Sequence, residues 1–173
     1  PMHTVPTLNT ERLVLRAFVE ADLDAYAAMS ADAEVMRYIG AGGPVGRDVA
    51  WRQMALFAGH WALRGYGMWA LELKATGEMV GRAGFIDPEG WPGVELGWQV
   101  ARPHWGRGYA LEAALAARRH GRQALGLGGR LISLIREDNL RSAALARRLG
   151  AHVEETIDFM GGPTQVWRHP DEG

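Results

Sequence analysis

The feature that most constrains this chain is a strand-like segment that runs through a glycine-rich turn directly into a helix-like segment. Val94–Val100 has the pattern of a strand, and Gly106–Leu125 has the alanine content and apolar spacing of a helix. Backbone N–H groups at a helix N-terminus lack partners, and glycines such as Gly106 and Gly108 let that backbone approach an anion without a Cβ in the way. The pattern predicts an anion site to which Arg107 adds charge, and a glycine turn without a ligand is the alternative.

Two familiar phosphate-binding patterns match this turn poorly. A Walker A loop requires Gly-Lys-Ser/Thr, which does not follow here. The dinucleotide-binding fingerprint requires a third glycine where this chain has Leu111, and it does not accommodate the long connection Ala101–Trp105. The unit also lies late in the chain, with too few residues after it to complete a doubly wound sheet. A nicotinamide-dependent oxidoreductase is therefore a distant hypothesis.

Length and composition limit the class of protein. A chain of 173 residues with 47% hydrophobic residues can bury roughly 70% of its unfolded surface, so we expect one domain over residues 1–173. Its 19 basic and 20 acidic residues leave a formal net charge of −1, which does not favour a nucleic-acid partner. The absence of cysteine excludes thiolate nucleophiles, disulfides and Cys-ligated metals. We find no signal peptide and no stretch of roughly 18 apolar residues, so we expect a cytoplasmic protein with no membrane partner.

The hydrophobic periodicity predicts an α+β fold, with helices early, an antiparallel strand meander in the middle, and strand–helix–strand–helix–strand order afterwards. The predicted strands are Thr10–Arg16, Met68–Leu73, Met79–Phe85, Val94–Val100, Arg130–Arg136, His152–Phe159 and Thr164–Arg168. The predicted helices are Glu20–Ser30, Asp32–Tyr38, Asp48–Leu63, Gly106–Leu125 and Leu140–Leu149.

The residues of the turn and of four other segments resemble one family. Trp105–Ala110 is similar to the acetyl-coenzyme-A pyrophosphate turn of the GCN5-related N-acetyltransferase (GNAT) superfamily, and more narrowly to its RimJ/RimL-like branch. Trp105 stands where the superfamily usually has Gln or Arg, as is common in this branch, and Ala151 replaces a usual aromatic residue. The other matching segments are Thr10–Arg16, Gly65–Ala70, Gly77–Phe85, and Asn139–Ser142 followed by Leu149–Gly150. The resemblance implies a mixed, mostly antiparallel, splayed central sheet flanked by helices.

The same resemblance implies acetyl-CoA as co-substrate. It implies that the acetyl-CoA contacts are Trp98, Gln99, Val100, Trp105, Gly106, Arg107, Gly108, Tyr109, Ala110, Asn139 and Ser142. The backbone of Gln99 or Val100 would stabilise the oxyanion. No metal is expected, because the histidines lack metal-ligand spacing.

Acetyl transfer to an amine requires a base for the amine proton and, for the leaving thiolate, a proton donor. The resemblance places a carboxylate of the water-relay type at Glu95, the candidate base, for which an ordinary arginine-paired strand carboxylate is the alternative. The resemblance also places Ser142 near the thioester sulfur, as candidate acid. The alternative is that Asn139 only caps a helix and Ser142 lies in its first turn.

The acceptor amine is expected to bind on the N-terminal side of the fold. Tyr38 and Trp51 flank the glycine-rich loop Gly40–Gly46, which we expect to close over the acceptor. Trp69 is a third candidate wall of the pocket, and core packing is the alternative for the tryptophans. A protein N-terminus and a small amine remain open as acceptors, as do a monomer and a homodimer. A catalytically decayed acyl-CoA-binding sensor or partner module is the alternative function.

Overall fold

A computed structural model, which describes residues 3–171, shows one open sheet with helices on both faces. Its strands are β1 (Leu8–Asn9), β2 (Leu13–Arg16), β3 (Met68–Leu73), β4 (Met79–Ile86), β5 (Val94–Val100), β6 (Leu131–Arg136), β7 (His152–Phe159) and β8 (Gly162–Arg168). The eight strands lie in the order β1-β2-β3-β4-β5-β6-β8-β7. Every neighbouring pair is antiparallel except β5 and β6. The sheet is therefore the mixed, mostly antiparallel one that the sequence led us to expect.

Five α-helices and two short 3-10 turns complete the structure. The helices are α1 (Leu23–Ser30), α2 (Ala33–Met36), α3 (Arg47–Arg64), α4 (Tyr109–Ala124) and α5 (Leu140–Arg148), and the 3-10 turns are Glu20–Asp22 and Arg102–His104. None of the helices within residues 3–171 is both long and apolar enough to cross a membrane.

Two predicted elements begin later than expected, for local reasons. The segment Thr10–Arg16 is not one strand, because the backbone and hydroxyl of Thr10 both hydrogen-bond to Leu13 and make a turn between β1 and β2. Helix α4 begins at Tyr109 and not at Gly106, because Gly106 and Gly108 have φ angles of 75° and 82°. A right-handed helix cannot continue through that left-handed region.

The two faces of the sheet carry separate hydrophobic clusters. Trp69, Ala83 and Phe85 pack toward α4, which approaches so closely that a Cβ at Gly121 would lie 2.6 Å from the Phe85 ring. On the other face, Met68 and Ile86 pack with side chains of α1, α2 and α3, among them Tyr26, Met36, Met54 and Phe57. Alternate side chains of the central strands therefore face different helices.

The sheet splays where β5 and β6 separate. These strands pair only at Val94 with Leu131 and at Glu95 with Ile132, while β5 stays paired with β4 up to Val100. Hydrogen-bonding directions alternate along an antiparallel strand, so the backbone groups of every second residue of β5 point into the gap. The gap opens the sheet immediately after Glu95.

Candidate active site

Two cavities meet at the gap between β5 and β6. The first, about 540 Å³, lies between the glycine turn and α5, and we call it the turn cavity. The second, about 280 Å³, lies beside Glu95, and we call it the Glu95 cavity. The side chains that line both are Tyr38, Ile39, Trp98, Asn139 and Ser142. A molecule in the turn cavity can therefore meet a second molecule in the Glu95 cavity at these residues.

The glycine turn presents backbone to the turn cavity. Trp105, Gly106, Gly108, Tyr109 and Ala110 all line it. Gly108 is the N-cap of α4, so the N–H groups of the helix's first turn have no partner within the helix. With the positive end of the helix dipole, they present partial positive charge at the turn, the arrangement that binds anions at helix N-termini.

Arg107 is the one residue of the predicted turn that does not line the turn cavity. Its carbonyl oxygen accepts a 2.8 Å hydrogen bond from Nη1 of Arg12. Arg12 is held in turn by a 2.8 Å ion pair with Glu112, in the first turn of α4. Arg107 therefore helps to fix the turn, and the charge that its side chain would bring to an anion stays a prediction.

Other cations supply that charge. The turn cavity is lined by Arg37, Arg141 and Arg148, against the acidic Glu34 and Asp138. The guanidinium carbon of Arg141 lies 3.6 Å from the centre of a Trp105 ring, a cation–π contact that holds it beside the turn. This excess of cations beside a helix N-terminus suits a polyphosphate.

At the junction of the cavities, a hydrogen bond links Trp98 and Ser142. Nε1 of Trp98 donates to Oγ of Ser142 over 3.4 Å, and the backbone N–H of Ser142 donates to Oδ1 of Asn139 over 3.3 Å. Asn139 is thus the N-cap of α5, as expected. Because the Ser142 oxygen accepts from the indole, its own proton is free to point into the junction.

Glu95 lies where β5 and β6 separate, and it is not paired with an arginine within residues 3–171. Its Oε1 accepts a 3.0 Å hydrogen bond from Nε1 of Trp91. Burial raises the pKa of Glu95, against the opposing effects of the Trp91 bond, the charge of Arg82 and a backbone hydrogen bond from Leu134. A carboxylate with a raised pKa in a cavity is a better proton acceptor than an exposed one.

Of the three residues predicted to bind the acceptor, one lines the cavities and two do not. Tyr38 lines both cavities. Trp69 is fully buried in the core, where its Nε1 donates to the carbonyl of Pro6, and it lines neither cavity, so its assignment to the acceptor pocket is wrong. Trp51 is 46% exposed and donates to Glu20 outside both cavities, so its assignment is wrong as well.

A buried serine–histidine pair next to the site is not a nucleophile. Oγ of Ser133 donates to the carbonyl of Leu96 over 2.6 Å and lies 2.8 Å from Nε2 of His169. Since the serine proton goes to the carbonyl, the histidine donates to the serine and does not activate it. Nδ1 of His169 is left to accept from Arg118. The pair anchors the end of β8 to β5.

Several residues of the site carry no sequence signal of their own. Arg82 looks like an ordinary outward-facing arginine of a strand, and Trp91 like a loop tryptophan. Arg136 lines the Glu95 cavity, and its Nη2 donates to the carbonyls of Gly40 and Met160. Only the packing of distant segments brings these side chains together. Among residues 3–171 there is no group of three His, Asp or Glu side chains that could hold a metal ion.

Comparison with known proteins agrees with this geometry. The family model described as "Acetyltransferase (GNAT) domain" matches residues 12–152. The chain is 29% identical over 153 residues to the uncharacterized N-acetyltransferase YoaA of Bacillus subtilis, covering 88% of this chain and 86% of YoaA. It is 36% identical over 108 residues to the uncharacterized protein YkkB of the same organism, an alignment that covers 60% of this chain and 62% of YkkB.

The similar solved structures include an acetyltransferase from Agrobacterium tumefaciens, with 34% identity, a TM-score of 0.86, and coverage of 96% of this chain and 95% of that one. The coenzyme A complex of RimL, the ribosomal L7/L12 α-N-protein acetyltransferase, has a TM-score of 0.77 at 19% identity, with coverage of 96% and 99%. At that identity, RimL shows the shared fold alone. The family match, the fold and the two cavities lead to one conclusion, that this chain belongs to the GNAT acetyltransferase family and has RimJ/RimL-like structural relatives.

Proposed function

We propose that this protein transfers the acetyl group of acetyl-CoA to a primary amine by direct attack of the amine on the thioester. The observation that carries the proposal is the meeting of the turn cavity and the Glu95 cavity at Trp98, Asn139 and Ser142. The first cavity has an anion site suited to a pyrophosphate, and the second has a carboxylate suited to an amine. Their junction is where a thioester and an amine would meet.

Glu95 would act as the general base, directly or through a water molecule. An amine must lose a proton to attack, and free amines have pKa values of about 7.7 to 10.4, above neutral pH. Glu95 lines only the Glu95 cavity, so it would receive the proton on the acceptor side. The bond from Trp91 holds its carboxylate in place for that step.

The unpaired edge of β5 would stabilise the oxyanion. The backbone N–H of Ala101 donates to the carbonyl of Val80 next to β4. Because hydrogen-bonding directions alternate along a strand, we assign this role to the backbone N–H of the preceding residue, Val100. The carbonyl of Val100 points to the same edge, where it accepts from Trp105. Ser142, with its proton free, would protonate the departing thiolate, and Asn139 would hold the pantetheine arm while capping α5.

An acceptor screen tests the proposal. The purified protein would be incubated with acetyl-CoA and a panel of primary amines, with released CoA detected by a thiol reagent and the acetylated amine by mass spectrometry. Because the chain has no cysteine, the protein itself adds no thiol signal. Amine-dependent CoA release with acetylated product is expected. CoA binding without transfer to any amine would contradict the proposal and favour the acyl-CoA-binding module.

A further inference from the structure

The Glu95 cavity contains an arginine with no carboxylate partner. Its charged lining residues are Arg82, Glu95 and Arg136. Arg136 donates to the carbonyls of Gly40 and Met160. With two guanidinium groups and one carboxylate, the lining has an excess positive charge. A neutral amine would leave that charge uncompensated.

Arg82 lies on β4 and makes only weak contacts. Its Nη1 lies 3.7 Å from Sδ of Met68, and its guanidinium carbon lies 5.2 Å from the centre of the Phe57 ring. Its Nε is buried and has no hydrogen-bond partner. Among residues 3–171, Arg82 forms no ion pair. A guanidinium group that has no ion pair and one buried, unbonded N–H can gain charge-assisted hydrogen bonds, so a ligand that supplies an anion would bind favourably here.

Arg82 and Glu95 lie along one continuous wall of the Glu95 cavity. Between them are Met68, whose sulfur contacts Arg82, and Gly97, where a Cβ would lie 3.1 Å from Cε of Met68 and 3.7 Å from Oε2 of Glu95. Gly97 has no side chain to separate the two charged groups. A small acceptor can therefore place its amine at Glu95 and a second, anionic group at Arg82.

We infer that the acceptor is a small amine that also carries a carboxylate, and that Arg82 determines this specificity by binding the carboxylate. The inference rests on the proposed acetyl transfer and names its substrate class. The cavity volume of about 280 Å³ is close to the lower end of the range for small-molecule sites, which favours an amino acid over the terminus of a large protein.

Matched acceptors test this inference. The value of kcat/KM would be measured for a series of straight-chain amino acids, with one to five methylene groups between amine and carboxylate, and for their carboxamides. In the wild-type protein, kcat/KM for at least one acid should exceed that for its carboxamide by about 10- to 100-fold, which is the effect expected of a hydrogen-bonded charge pair. Arg82→Gln should reduce this ratio to about twofold. Because the charge of Arg82 also lowers the pKa of Glu95, the readout is the ratio of acid to carboxamide and not either rate alone. Arg64→Gln, at a cation that pairs with Glu89 outside the cavity, should leave the ratio unchanged.

Several outcomes would overturn the inference. Equal rates for acids and carboxamides in the wild type would contradict it while leaving the proposed acetyl transfer intact. An equal loss for both acceptor types in Arg82→Gln would show that Arg82 acts through Glu95 and not on the acceptor. A preference for peptides with acidic residues over amino acids would contradict the small-molecule assignment.

Two further measurements test the inference even if Arg82→Gln does not fold or no amine is acetylated. If Arg82→Gln does not fold, glutarate should inhibit the wild-type protein competitively with the amine, and its failure to compete would contradict the inference. If no amine is acetylated, glutarate should still raise the Tm of the wild type and not of Arg82→Gln. That result would support the carboxylate site while the proposed function fails.

Discussion

Nε1 of Trp91 donates a 3.0 Å hydrogen bond to Oε1 of Glu95, four residues further along the chain. The indole packs edge-on against the ring of Phe159, with the ring centres 5.1 Å apart. Phe159 is the last residue of β7, so the hairpin between β7 and β8 buttresses the side chain that orients Glu95. The candidate base is thus positioned by two segments far apart in the sequence.

Replacing Trp91 by Phe removes this hydrogen bond and keeps an aromatic ring. Because the bond stabilises the ionised carboxylate, its loss should raise the pKa of Glu95 further. A hydrogen bond to a charged group contributes about 1.5–3 kcal/mol, and one pKa unit corresponds to about 1.4 kcal/mol. The part of the kcat/KM–pH profile that reports Glu95 should therefore move up by about one pH unit. Trp51→Phe, which removes an indole outside both cavities, is the control. An identical profile for the wild type, Trp91→Phe and Trp51→Phe would contradict the role of Trp91.

Gly108 tests the anion site. Gly108→Asp places a carboxylate at the N-terminus of α4, near the position assigned to the pyrophosphate and with its Cβ 3.4 Å from Nη2 of Arg12, whereas Gly108→Asn has the same shape without the charge. Both residues tolerate the φ of 82° better than most side chains. At 100 times its Kd, CoA should stabilise the wild type by about 2.7 kcal/mol, or about 5–10 °C in Tm for a chain of this size. Gly108→Asp should lose this shift and Gly108→Asn should keep most of it. Equal shifts in both variants would contradict the anion site.

Arg136 joins the loop after α2 to the hairpin turn, since its Nη2 donates to Gly40 over 2.8 Å and to Met160 over 2.6 Å. Gly40 lines the Glu95 cavity and not the turn cavity. With a neutral amine as acceptor, Arg136→Gln should raise the KM of the amine about three- to tenfold, as expected for the loss of one or two hydrogen bonds. The KM of acetyl-CoA should change less than twofold. Arg168→Gln, which breaks a pair with Glu154, should alter neither. Equal changes in both KM values would show that this loop does not cover the acceptor.

His169 makes stability depend on pH. Burial, with the charges of Arg118, Arg122 and Arg168, lowers its pKa from 6.5 to about 3. Between those values the unfolded chain binds a proton at this residue and the folded protein does not, so the free energy of unfolding falls as pH falls, by about 1.4 kcal/mol per pH unit. In urea unfolding between pH 6 and 4, His169→Gln should show a correspondingly shallower dependence on pH. An unchanged dependence would contradict the burial of a neutral His169.

Local patterns predicted much of the fold. Three strands, Met68–Leu73, Val94–Val100 and His152–Phe159, have the predicted bounds, because period-two patterns and flanking turn residues are encoded in neighbouring positions. The insertion of β6 between β5 and β8, and its parallel pairing with β5, depend on contacts between distant segments. The splaying of the sheet was predicted from the family resemblance and not from any local pattern in the sequence.

The two tryptophan errors have different physical causes. Trp69 lies on β3, which helices cover on both faces, and its side chain is therefore packed in the hydrophobic core. Trp51 was assigned to the pocket because it follows the glycine-rich loop, whereas the buried face of α3 runs through Ala50, Met54, Phe57 and Trp61. A shift of one residue moves a helical side chain by about 100°, which is enough to leave Trp51 in solvent.

The central claim is that Glu95 removes a proton from the amine. In the wild type, log(kcat/KM) should rise with a slope of 1 up to the pKa of Glu95 and stay level from there to the pKa of the amine, since the ionised carboxylate takes the proton of the bound ammonium. In Glu95→Gln, kcat should fall more than about tenfold, or about 1.4 kcal/mol of barrier. In this variant only the neutral amine can react, so log(kcat/KM) should rise with a slope of 1 up to the pKa of the amine, and CoA-induced stabilisation should not change. A loss below tenfold together with an unchanged pH profile would contradict the account.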